Sequence, residues 1–239
     1  MRAPNLLVTI LVAGLLAGLA ASVFHTIFTE PVIDQAITLE EMRHGAGAQA
    51  EEPPVVPRDV QKIGLFVGWL ALGWAFAGLV GGSYGVARRQ GWVGPGWMAP
   101  VAIAVGGYLV FALLPGLKYP ANPPGVGSST TITIRQEMFV AVWLVGLVGA
   151  LAAAIAARTV RASLPIKAAV ALGVFTAWAA VVMVALPTNP DPITMPLDLV
   201  GQFRVYSLIG LTLFWAVLGL CFAWVATRTA NIVPMQGAR

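Results

Sequence analysis

Six apolar stretches alternate with seven hydrophilic segments along the chain, and that alternation sets the architecture. The stretches cover residues 6–28, 63–87, 98–114, 138–157, 166–186 and 206–226. A helix needs about 20 apolar residues to cross the hydrocarbon core of a bilayer. Five runs meet that length. The third is shorter and bordered by Pro100 and Pro115, but carries no charge. The pattern predicts one all-α polytopic membrane domain over residues 1–239, with six transmembrane helices. The first run exceeds the ~7–15 residues of a signal-peptide core, so it is expected to stay as an uncleaved span.

Charge then orients the helices. Taken alternately from the N-terminus, the odd segments hold eight bases and no acid: Arg2, Arg88, Arg89, Arg158, Arg161, Lys167, Arg228 and Arg239. The even segments hold all ten carboxylates and six bases, so the two sides carry +8 and −4. Lys and Arg near span ends stay cytoplasmic, which places both termini in the cytoplasm and the acidic segments outside. Composition agrees: 58% of residues are hydrophobic and 10% charged, against about 25% charged in soluble domains. The net charge of +4 is this side-to-side asymmetry and does not point to nucleic acid. The single cysteine, Cys221, lies within the last apolar run and cannot form an intrachain disulfide.

Two helical hairpins look alike. The second and third spans end in Leu114-Pro115 followed by Asn122-Pro123-Pro124, and the fourth and fifth end in Leu186-Pro187 followed by Asn189-Pro190-Asp191-Pro192. Parallel repeats of this kind occur in transporter folds. An alternative is that both copies simply stop a helix and start a loop. Glycines four apart (Gly14 and Gly18, Gly64 and Gly68, Gly78 and Gly82, Gly81 and Gly85) suit close helix packing. In the outer segment 29–62, Thr29 can cap a helix, Pro31 suits its first turn and Gly45 can end it. An interfacial helix over 30–44 is therefore expected along the outer surface, followed by a linker over 46–57.

On that helix Glu30, Asp34, Glu41 and His44 fall at about 0°, 40°, 20° and −40°. They share one face but span about 21 Å, so they form two pairs rather than one chelate. Carboxylate with imidazole suits a divalent first-row metal, while a solvated polar face gives the same pattern. His25 is the one ionisable side chain clearly inside a span. Such groups are functional candidates, and a neutral histidine bonded to a neighbouring helix is the structural alternative. No phosphate-binding loop, paired buried carboxylates, Cys-x-x-Cys or Ser-His-Asp set is present, so no enzyme and no permanently bound cofactor are expected.

Two segments carry a family resemblance. One is Val23-Phe24-His25-Thr26-Ile27-Phe28-Thr29-Glu30-Pro31 running into Ile33-Asp34-Gln35-Ala36. The other is Leu114-Pro115-Gly116-Leu117-Lys118-Tyr119-Pro120-Ala121-Asn122-Pro123-Pro124. Together they resemble the CbtA family of cobalt transporter subunits over nearly the whole chain. The resemblance implies a multi-pass protein of the bacterial inner membrane, tied to cobalt supply and paired with a small single-span CbtB subunit bearing a histidine-containing end. It raises His25, Glu30, Asp34, Glu41 and His44 to candidate outer ligands of a transported Co²⁺. It also draws attention to Lys118, Tyr119, Asn122, Pro123, Asn189 and Pro190 at the outer mouth, where Lys118 is expected to pair with Glu30 or Glu137. Expected partners are the bilayer, the CbtB-like subunit and, as an open alternative, further copies of the chain. Uptake of a divalent metal leads; a scaffold or assembly subunit of a larger membrane complex is the rival.

Overall fold

The computed structural model describes residues 3–45, 56–94 and 96–231. The described residues form helices α1 (Ala3–Phe24), α2 (Glu30–Gly45), α3 (Arg58–Arg89), α4 (Met98–Tyr108), α5 (Leu114–Lys118), α6 (Ile132–Thr159), α7 (Leu164–Ala185) and α8 (Leu197–Asn231), and no strand. Six helices are long and apolar enough to cross a membrane: Asn5–Arg43, Arg58–Arg89, Met98–Lys118, Ile132–Thr159, Leu164–Ala185 and Leu197–Arg228. All six spans read from the sequence fall on them, and most helices run past their apolar stretch. Much of the 46–57 linker lies outside the described residues.

Two prolines explain where the sequence reading and the helices part. A π-helical turn, His25–Thr29, joins α1 to α2, and another, Leu109–Leu113, joins α4 to α5. Each ends immediately before an Xaa-Pro pair, Glu30-Pro31 and Leu114-Pro115. Within a regular α-helix a proline ring collides with the carbonyl four residues back, here Ile27 and Phe111, and offers it no N–H. Widening the turn relieves that collision. The N–H of Glu30 bonds the His25 carbonyl and that of Leu114 bonds the Leu109 carbonyl, while both residues keep right-handed helical dihedrals. Pro31 thus does not open a separate helix. The stretch expected as a separate helix follows α1 without a break in helical conformation, and Pro115 does not end the third helix.

The chain contains two compact units. Unit one comprises Met1–Gly107 and Val205–Arg239. Its main pairing is α1 on α3, where Gly14 and Gly73 bring the two backbones together. Gly73 belongs to none of the four-apart pairs, whereas Gly64, Gly68, Gly78 and Gly82 face open space. Phe214, Leu218 and Phe222 of α8 are fully buried, and Phe214 lies 5.6 Å from Trp69. Unit two is Tyr108–Arg204. Here α6 lies along α7 around Val110, Leu114, Val142, Ala153, Phe175 and Val182. The two expected hairpin copies therefore differ in packing: α6 pairs with its sequence neighbour α7, but the chief partner of α3 is α1.

Candidate functional site

The first helix places His25 inside unit one. His25 is 5% exposed, and its ring stacks on Trp69 with centroids 4.7 Å apart and planes 9° from parallel. Gly210 lies against the imidazole edge, where a Cβ would collide with Nε2. Nδ1 lies 2.8 Å from Thr29 Oγ1, a contact made within the π-helical turn. Nε2 is buried and has no hydrogen-bond partner among the described residues. In a regular α-helix His25 and Glu30 would point about 140° apart. Here the backbone instead carries an i→i+5 bond from the Glu30 N–H to the His25 carbonyl, and both side chains are buried.

The carboxylates that follow are already engaged. Arg58 Nη2 donates to Glu30 Oε2, and Arg58 Nε donates to Asp34 Oδ1 at 2.9 Å. Lys62 Nζ donates to Asp34 Oδ2 at 2.9 Å. The hydrogen bond from Lys62, with Arg58 beside it, holds the Asp34 carboxyl below the usual carboxylate range. Two acids spaced i,i+4 on α2 thus meet two bases spaced i,i+4 at the start of α3. That matched spacing was the signal available in the sequence, and it points to ion pairing. Glu41 is exposed, and the side chain of His44 lies outside the described residues. Among the described residues no three of His, Cys, Asp and Glu gather where a metal would sit. Of the four predicted ligands whose side chains are described, His25 and Glu30 are the buried ones.

The predicted outer-mouth residues lie in unit two, and their partners differ from expectation. Lys118 pairs with neither Glu30 nor Glu137. Its Nζ donates to the carbonyls of Met183 at 2.9 Å and Leu186 at 2.6 Å. These belong to the end of α7, where the last carbonyls of a helix lack N–H partners and carry partial negative charge. Tyr119 donates its hydroxyl to the Pro187 carbonyl at 2.8 Å, and burial pushes its phenol up. Asn122 Oδ1 accepts from Arg204 Nη2 at 2.8 Å. Asn189 Oδ1 accepts the N–H of Asp191 at 3.0 Å, an Asx turn of the kind that opens loops. Pro123 is buried and Pro190 exposed. Arg135 pairs with Asp191 at 3.1 Å, and Thr131 donates to the same carboxylate. That cluster had no sequence signal, because its members are far apart along the chain.

No curated protein and no solved structure matches the chain. The family described as "Probable cobalt transporter subunit (CbtA)" matches residues 4–227. That match takes in the first five helices of membrane-crossing length and all but the last residue of the sixth. The chain belongs to the CbtA family of cobalt transporter subunits.

Proposed function

We propose that the chain is the membrane-embedded component for uptake of cobalt or a similar divalent transition metal in the bacterial inner membrane. The cation is received near the outer end of the first span, where His25 is the coordinating group and Glu30, Asp34, Glu41 and His44 form an acidic approach. One observation carries this reading: the buried Nε2 of His25 has no partner among the described residues while Nδ1 is held by Thr29. A polar atom left unpaired in a packed interior costs free energy. A hydrogen bond to one ring nitrogen fixes the imidazole and leaves the other as a metal ligand. Because Glu30 and Asp34 are neutralised by Arg58 and Lys62, the cation competes with those bases. A small single-span subunit completes the coordination.

In cells lacking other cobalt importers, His25→Ala at equal membrane abundance is expected to lower cobalt accumulation roughly tenfold or more. Accumulation at the wild-type level removes His25 from the site. A second reading, a scaffold subunit that moves no metal, is favoured by the occupied carboxylates and by the lack of a three-ligand cluster among the described residues. Cobalt flux into vesicles containing only this chain and its small partner supports transport. A stoichiometric larger complex with no such flux supports the scaffold.

A further inference from the structure

Unit two contains a cavity of about 220 Å³ lined by Tyr119, Asn122, Arg135, Met138, Phe139 and Asn189 among others. The two asparagines are the corresponding residues of the Asn-Pro loops that follow the third and fifth spans, and both reach this one cavity. Its polar chemistry is one-sided. Asn189 Oδ1 accepts a main-chain N–H, and Asn122 Oδ1 accepts a guanidinium N–H. Neither partner can accept a hydrogen bond, so chemistry alone fixes which end of each amide is oxygen. Both NH₂ groups, four N–H bonds in all, remain as donors with no acceptor among the described residues.

Arg135, the cation in the cavity wall, pairs with Asp191, and that carboxylate also accepts from Thr131. The cavity therefore has surplus donors. An anion with several acceptor lone pairs is matched by it. A cavity of about 150 Å³ holds a benzene-sized molecule, so size admits a small carboxylate.

We propose that this cavity is a carboxylate-binding site, with the NH₂ groups of Asn122 and Asn189 as donors. The carboxylate comes either from a small free acid or from an acidic side chain of a partner polypeptide. Both sources share one chemistry, and the experiment separates them. The site is independent of the cation reading for His25, and its test involves no metal.

The discriminating variant is Asn122→Asp with Asn189→Asp. Each aspartate keeps the oxygen that its partner donates to, so Arg204 and the Asp191 N–H stay satisfied and the fold is retained. Each removes an NH₂ and adds a negative charge. The full chain in detergent is titrated with sodium succinate, and separately with N-acetyl-Gly-Asp-Gly-amide, at constant ionic strength set with chloride. The thermal midpoint and tryptophan fluorescence are followed. A saturable upward shift with succinate, weakened roughly tenfold or more in the double variant, identifies a free-acid site. A saturable shift with the peptide alone, equally sensitive to the double variant, identifies a polypeptide carboxylate. No saturable response to either probe, or the same response in the double variant, overturns the proposal.

Discussion

Gly73→Ala is expected to destabilise the α1–α3 pair by about 1–3 kcal/mol or more and to deplete the folded, monodisperse fraction in detergent. At this crossing the Gly73 carbonyl oxygen lies 2.8 Å from where a Cβ on Gly14 would stand, and a Cβ on Gly73 would collide with the Gly14 carbonyl. Overpacked cores usually recover by moving side chains. Here the obstructing atoms are main chain, so the helices themselves must part. Parting them strains the bond from Trp74 Nε1 to the Leu11 carbonyl at 3.1 Å and that from Ser22 Oγ to the Phe66 carbonyl at 3.2 Å. Apolar lipid offers little hydrophobic drive between helices, so close van der Waals contact carries most of their association. Gly78→Ala is the control. A Cβ there meets nothing within 4 Å, and alanine is the better helix former by roughly 1 kcal/mol. Thermal midpoints and size-exclusion profiles of the two variants should diverge; matching profiles would refute the close crossing.

Arg58→Ala is expected to cost about 3 kcal/mol, the lower end of the range for removing one member of a buried ion pair. Glu30 is 6% exposed at its side chain and would be left without its cation, whereas Arg58 is 27% exposed and already partly solvated. Glu30→Gln in the Arg58→Ala background removes the stranded charge and should recover much of the stability, a coupling that a double-mutant cycle measures. Equal instability of the single and double variants would show that Arg58 acts by packing alone. Asp34 adds a pH signature. Its carboxyl titrates lower in the folded chain than in the unfolded one, so its contribution is present above the ordinary carboxylate pKa. That contribution is lost as pH falls through the folded value. Lys62→Ala should flatten this acid limb in unfolding experiments run as a function of pH.

The spans were legible because apolar run length alone encodes them, and all six stretches lie on membrane-crossing helices. Pro31 and Pro115 misled as helix boundaries, because a π-helical turn that absorbs a proline leaves no trace in hydropathy. Gly14 announced itself through Gly18, but Gly73 did not, since its partner lies on another helix. At the candidate site, His25 stood out as the lone ionisable group within a span. Spacing on one helix could not tell that Glu30 and Asp34 face two bases of α3. That requires knowing which helices are neighbours, and the hairpin reading paired α3 with α4 instead of α1. Asn122 and Asn189 were each visible in a loop motif. Their convergence on one cavity, and the direction of their amides, are tertiary facts.

The two prolines also alter what mutagenesis can detect. Pro31 and Pro115 bring no N–H, so the main-chain oxygens of each preceding turn have one donor fewer to share. One of these turns contains His25. Its main-chain oxygens are fixed points of partial negative charge, and no side chain supplies them. An alanine scan across residues 25–30 would leave them untouched and report nothing about them. Only exchange of the proline itself restores the missing donor, so in this helix the chemically silent residue, not the ionisable ones, sets the balance of main-chain donors and acceptors.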